Sequence, residues 1–244
     1  MKKYLAIFDF DHTVVDDNTD TCYWPQIPKE VQAPIIKQFK NEELTWHQLL
    51  NKLMPLLPWN QLVETVERIK LIPGMRELFN FLKETDSIIC IVSDSNTEFI
   101  KRILDKQGLS AHVREVHTNG IELPSEQEDK AKVVTYEKAF GLSRKRECEN
   151  NCDVNHMCKG SVVEKLVETY GQEHIPFFVG DGGNDYCAMK RVDRISLKGM
   201  NFVRKGFNLE KKIMNQEPEN REFVNLFWED AAEITTYLKN ETTK

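Results

Sequence analysis

The chain of 244 residues contains no long hydrophobic run. Its first apolar stretch, Leu5 to Phe8, meets Asp9 within a few residues, which is too short for a signal core or a membrane span. Positive charge is not in excess: 33 Lys and Arg stand against 39 Asp and Glu, a net charge of −6. No global basic field therefore draws the chain to nucleic acid or to an anionic membrane. An anionic ligand has to be met by a few locally placed cations. Cysteine is sparse, with six residues, and in the cytoplasmic setting expected here these are thiols or metal ligands rather than disulfides. Internal repeats and low-complexity segments are missing too, so a repeat architecture is excluded. What is present, 40% hydrophobic and 30% charged residues, suits a globular enzyme of one large domain or one domain carrying an insert.

Leu5 to Phe8 reads as a strand buried on both faces, because an unbroken apolar run has no side to offer water. From His12 to Leu71 the character changes. Polar turn residues at 16–20 and the breakers Pro25, Pro28 and Pro34 give way to Leu49, Leu50, Leu53, Met54 and Leu57 at helical spacing. Trp24, Trp46 and Trp59 are expected to pack between such helices. Pro73-Gly74 marks the return to alternating elements. A helix with Leu78, Phe79 and Leu82 inward precedes a strand over 87–92, and a helix then stops near Gly108. Strands are expected at 113–117, at 175–179 and at 193–197. Alternating strands and helices imply a mainly parallel sheet. The expected fold class is α/β: a Rossmann-like core of residues 1–15 and 73–244, flanked by helices, with a small helical cap of residues 16–72 inserted after the first strand.

Three of these strands end in polar clusters: Asp9, Asp11 and Thr13; Ser93 and Asp94; Asp181, Asn184 and Asp185. Each cluster alone is a common turn. Together they converge, because strand ends in a parallel sheet share one edge, where ligands bind in open α/β sheets. Asp9 and Asp181 suit a hard oxygen-seeking cation such as Mg²⁺. A carboxylate can also accept a phosphoryl group, and Ser93 with a lysine can hold phosphoryl oxygens.

Asp9-Phe-Asp-His-Thr13, Ser93, a lysine and Gly180-Asp-Gly-Gly-Asn-Asp185 resemble the signature of the haloacid dehalogenase-like phosphatase superfamily. That resemblance implies Asp9 as nucleophile, Asp11 as general acid/base, Mg²⁺ held by Asp9, the Asp11 carbonyl and Asp181, and Asp185 in support. Over nearly the whole chain, 16–20, Pro73-Gly-Met75, Ile91 to Asn96, Thr118-Asn119, Met157-Cys-Lys159 and Arg204-Lys-Gly-Phe207 are similar to the phosphoethanolamine/phosphocholine phosphatase family, which has a pyridoxal phosphate phosphatase branch. By that likeness Lys159 binds phosphate, while Asp20 and Asp94 read the amine of a small phosphorylated metabolite. For Asp20 a helix cap, and for Asp94 a turn acid, stand as alternatives. A phosphoserine phosphatase-like or other small-metabolite specificity is the alternative activity.

Cys148, Cys152, His156 and Cys158 put soft and borderline ligands close together just before Lys159. The spacing allows a structural Zn²⁺ site without being one of the common ones; a loop of free thiols is the alternative. Cys22, Cys90 and Cys187 read as core residues. The non-enzymatic alternative is a zinc-stabilised interaction module on a phosphatase scaffold. Nothing in the sequence sets an oligomeric state.

Overall fold

The computed structural model describes residues 2–125, 130–141, 148, 152, 157–215 and 221–242. In chain order, β1 (Tyr4–Phe8) is followed by helices α1 (Lys29–Lys40), α2 (Trp46–Leu53) and α3 (Trp59–Val66). Then come α4 (Met75–Glu84), β2 (Ile88–Asn96), α5 (Thr97–Gln107), β3 (Val113–Glu122), β4 (Lys132–Val134) and α6 (Tyr136–Ala139). The chain continues through α7 (Lys159–Tyr170), β5 (Ile175–Gly180), α8 (Asp185–Ile195), β6 (Met200–Arg204), α9 (Asn208–Met214), β7 (Leu226–Trp228) and α10 (Ala231–Thr242). The seven strands form one sheet in the order β4-β3-β2-β1-β5-β6-β7. All neighbours are parallel except β3 and β4. This is the α/β, Rossmann-like architecture expected from the alternation of elements.

The sheet separates two apolar layers, and strand alternation sorts the residues between them. Tyr4, Ala6 and Phe8 join Phe79, Ile89, Ile91, Phe99, Phe177 and Phe202 on one face. Leu5 and Ile7 join Cys90, Val92, Val163, Leu166, Phe178 and Met189 on the other. All five residues of β1 are buried, which is why its sequence reads as a continuous run rather than an alternation. Phe8 packs its ring 5.2 Å from Phe79 and 5.9 Å from Phe177. Burying each such ring contributes about 1.5–3 kcal/mol, so β1 is held from above and below as well as by its neighbours.

Three α-helices and two short 3-10 turns lie between β1 and α4, and no strand occurs there. The two ends of this helical segment meet: Asp16 N–H donates to the Lys70 carbonyl at 2.9 Å and Ile72 N–H to the Val14 carbonyl at 3.1 Å. Thr45 and Gln48 form a reciprocal capping box at the start of α2. Asn51 of α2 exchanges hydrogen bonds with the backbone of Val133 in β4, at 2.7 and 3.0 Å. His47 meets Asn119 of β3 at 3.1 Å. The segment thus leans over the end of the sheet on which β2 and β3 terminate.

Besides β2, which runs on to Asn96, three places differ from expectation. The stretch at 193–197 is not a strand: α8 runs on to Ile195, its Val192 facing the core, and Leu197 is fully exposed. The strand is Met200–Arg204. β3 extends to Glu122 because β4 pairs with its second half. The third difference is β7, whose three residues are too few to carry a period.

Candidate active site

β1 continues its pairing for one residue past Phe8, with Asp9 N–H donating to the Val179 carbonyl at 2.9 Å. The chain then turns sharply: Val14 and Val15 N–H both donate to the Phe10 carbonyl, at 2.8 and 3.1 Å. His12 takes the left-handed conformation (φ 52°) within this turn. Its carbonyl accepts from the Arg204 guanidinium at 2.7 Å, and its ring lies 5.1 Å from Phe207. Phe10 is wholly buried, so the turn is anchored between the two acids that flank it. Asp9 and Asp11 both line a cleft of about 200 Å³ with Asp20, Trp46, Ser93, Asp94, Lys159, Asp181 and Asn184. The cleft lies where the sheet order reverses, β1 having β2 on one side and β5 on the other.

Lys159, the first residue of α7, is 1% exposed. Its Nζ donates to Asp185 Oδ1 at 2.7 Å and lies 2.9 Å from Asp9 Oδ1. Burial alone would drive off its proton, but the charges of Asp185 and Asp9, with Asp94 behind them, hold the ammonium well above its ordinary pKa. The second oxygen of Asp185 accepts from Asp181 N–H at 3.1 Å and Gly182 N–H at 2.9 Å. Gly180 permits this: a Cβ there would stand 2.5 Å from Asp185 Oδ2. Asp181 Oδ1 accepts from the Thr13 hydroxyl at 3.2 Å.

Sequence reasoning missed Thr19, which donates to both oxygens of Asp11, through its N–H at 3.0 Å and its hydroxyl at 3.1 Å. The hydroxyl also meets Ser95 Oγ at 2.6 Å, and Ser95 N–H donates to Ser93 Oγ at 3.2 Å. The only signal was position, since Thr19 belongs to the polar stretch directly after the first motif. Trp46 packs as expected, its ring 6.0 Å from Trp24 and 5.6 Å from Phe39, and its indole N–H also donates to Asp20 Oδ2 at 3.1 Å. Asp20 is buried, and its other oxygen has no hydrogen-bond partner among the described residues. Asp94 Oδ2 accepts from the Asn184 amide at 2.6 Å, and its carbonyl accepts from the Asn119 amide at 2.5 Å.

The acids are crowded. Desolvation lifts the Asp11 carboxyl well above the carboxylate range, the Asp20 and Asp9 charges adding to it while the Thr19 hydrogen bonds oppose it. Asp181 is pushed up to about 7, by burial first and the Asp9 charge second. Carboxylate oxygens of Asp9, Asp181 and Asp185 lie within 4.8 Å of one another. Such a buried oxygen cluster, with Lys159 beside it, fits a hard divalent cation. Asp185 already spends both oxygens on Lys159 and the 181–182 backbone, which leaves Asp9 and Asp181 as the better placed donors. A wider groove of about 390 Å³ lined by Glu67, Glu98, Lys101, Arg102, Asp105 and Lys106 offers no comparable chemistry. Its charges pair with one another, as in Arg102 with Glu98 at 2.7 Å.

Beside α7, the sulfurs of Cys148, Cys152 and Cys158 come together with that of Cys187. Cys187 is thus more than a core residue. His156, the fourth expected ligand, lies outside the described residues.

Residues 4–242 match the model of the family described as Putative Phosphatase. The chain belongs to this family. Human pyridoxal phosphate phosphatase PHOSPHO2 is 29% identical over 250 residues, covering 97% of this chain and 98% of that protein. The chicken phosphoethanolamine/phosphocholine phosphatase is 26% identical, covering 97% of this chain and 88% of the relative. Among solved structures, a phospho-aspartyl intermediate analogue of phosphoserine phosphatase superposes with a TM-score of 0.59 at 22% identity, over 97% of this chain and 99% of that one. The fold is that of the haloacid dehalogenase-like phosphatases, and membership makes the chain a phosphoric monoester hydrolase. Among the described residues no helix is long and apolar enough to cross a membrane.

Proposed function

We propose that the chain hydrolyses small phosphomonoesters with Mg²⁺ through an aspartyl-phosphate on Asp9. The observation that supports this most is Lys159, buried and shared between Asp9, just past the end of β1, and Asp185, at the start of α8. An ammonium so placed can neutralise phosphoryl oxygens beside a carboxylate nucleophile without having to reorganise. Asp9 attacks phosphorus, and the bond to the leaving oxygen breaks as Asp11 donates its proton to that oxygen. Water then attacks the phosphorus of the acyl phosphate while Asp11 takes its proton, which releases phosphate and restores both acids. The raised Asp11 carboxyl suits a group that must be protonated before the first step. Ser93 and Lys159 bind the phosphoryl oxygens, and Asp185 positions Lys159. Asp9, Asp181 and the Asp11 carbonyl would hold Mg²⁺, which supplies further charge neutralisation at the phosphoryl group.

The segment 16–72 is read as a cap over this cleft, a reading supported by its paired ends at 14–16 and 70–72. Closure would exclude water around the phosphoryl group. Asp20, reached by Trp46 of the cap and with one unpartnered buried oxygen, favours a leaving group that carries a cation. Phosphoethanolamine or phosphocholine, as in the name of the chicken relative, fits that feature. Pyridoxal 5′-phosphate, as in the name of the human one, brings an aromatic ring that Trp46 could face. Phosphoserine or another small metabolite is the alternative specificity. Phosphate release measured on phosphoethanolamine, phosphocholine, pyridoxal 5′-phosphate, phosphoserine and a chromogenic aryl phosphate tests this. Turnover is expected with Mg²⁺ and not after chelation. No release from any of the five with Mg²⁺ present would overturn the proposal.

A further inference from the structure

The four sulfurs beside α7 are drawn from three places: Cys148 and Cys152 from the preceding stretch, Cys158 from the N-cap of α7, and Cys187 from the first turn of α8. Their separations include 3.2 Å for Cys148–Cys187, 3.9 Å for Cys158–Cys187 and 4.0 Å for Cys152–Cys158, and all lie within 4.8 Å. A disulfide needs about 2.05 Å, so no pair here is bonded. Zinc–sulfur bonds of about 2.3 Å in a tetrahedron give sulfur–sulfur edges of about 3.8 Å, which the observed separations straddle. Four polarisable thiols converge here within 4.8 Å of one another. They are a good tetrathiolate cage. Sulfurs this close leave room for one ion and not for an iron–sulfur core.

We propose that Cys148, Cys152, Cys158 and Cys187 bind one structural Zn²⁺. The fourth ligand is supplied by α8, so the ion joins two helices rather than closing a single loop. Gly160 makes this approach possible, because a Cβ there would lie 2.4 Å from Cys187 Sγ. The consequence reaches the cleft. Cys158 directly precedes Lys159, and Cys187 lies two residues beyond Asp185, so the ion pins together the two helix starts that carry the Lys159–Asp185 pair. Zinc binding stands apart from the phosphatase reading; only this positioning role for the cysteines rests on it.

Metal analysis of the full chain, purified under reducing conditions without chelator, tests the proposal. One zinc per chain is expected, resistant to the mild chelation that strips Mg²⁺ and released when a mercurial blocks the thiols. Growth with cobalt in place of zinc should give the intense visible bands and the sulfur-to-metal charge transfer of a tetrahedral tetrathiolate. Cys187→Ser should drop zinc to background, while Cys90→Ala, a buried thiol in β2, should retain it. Should Cys187→Ser not fold, the cobalt spectrum of the wild-type chain decides by itself. Background zinc together with no thiolate bands would overturn the proposal, as would iron in place of zinc or a disulfide between any two of the four. Loss of zinc with phosphatase activity retained would leave the site standing and remove its positioning role. One zinc per chain without turnover would remove only the phosphatase reading.

Discussion

Lys159 Nζ lies 2.7 Å from Asp185 Oδ1, with the ammonium 1% and the carboxylate 0% exposed. This ion pair is buried from both sides and joins the starts of α7 and α8. Breaking such a pair by removing one partner costs about 3–5 kcal/mol, because the remaining charge is left unpaired. Lys159→Met is therefore expected to lower stability by that order in urea melts and to abolish turnover. Adding Asp185→Asn should recover part of the stability and none of the activity. Strictly additive losses in the double variant would show that the two residues are not coupled.

Asp9→Asn keeps the volume of the side chain and removes the nucleophile. Turnover should fall by at least about 10⁴-fold with the melting behaviour still cooperative. Beryllium fluoride should bind the wild-type chain only with Mg²⁺ present, because the trapped species mimics a phosphoryl group on a carboxylate. Binding that survives chelation would place the cation outside the site.

Thr19 donates twice to Asp11, so Thr19→Val tests the acid without touching it. Losing the hydroxyl should slow alkyl phosphates by about 10–100-fold, and aryl phosphates less, since a good leaving group needs little protonation. The measurement is kcat/KM against leaving-group pKa. An equal loss at every leaving group would count against Asp11 as the proton donor.

Asp20 has its carboxyl raised from 3.8 to about 7, chiefly by burial, the Trp46 hydrogen bond opposing and the Asp94 charge adding. Between about pH 4 and pH 7 the folded chain keeps a proton that the unfolded chain has released, so stability falls as pH rises through that window. The full effect is at most about 4 kcal/mol. Asp20→Asn should be more stable than wild type at pH 8, with the difference shrinking toward pH 4. Urea melts at both pH values check this, and a pH-independent difference would contradict it.

If Asp20 and Asp94 read a cation, Asp20→Asn and Asp94→Asn should raise KM for phosphoethanolamine by about 10-fold, the worth of a partly desolvated charge pair. An uncharged phosphate ester of similar size should be nearly unaffected. Equal losses on both substrates would make these acids loop holders, and the amine-selective reading would fail while the phosphatase assignment stood.

Much of this protein could be read along the chain. An unbroken apolar run predicts β1 because a strand buried on both faces has no polar side, and acids at i and i+2 after such a strand mark the site. The ends of β2 and β5 could be read for the same reason. The local pattern failed at 193–197, where the apolar spacing of α8 continued past the point at which a strand was expected, and at β7, where three residues carry no period. What the linear order could not show is which distant groups share a space. Thr19 reaches Asp11 only because the turn after Asp11 folds back, and Trp46 reaches Asp20 only because the helical segment leans over the sheet. Cys187 stands 29 residues beyond Cys158 on another helix, so spacing pointed to His156 as the fourth ligand. The sequence by itself determined the central strands β1, β2 and β5, the edge at which they end and the chemical kind of the candidate site, since those follow from periodicity and residue type. Only the tertiary structure decided that α7 and α8 begin side by side, because that depends on packing two helices against one face of the sheet and not on any local preference.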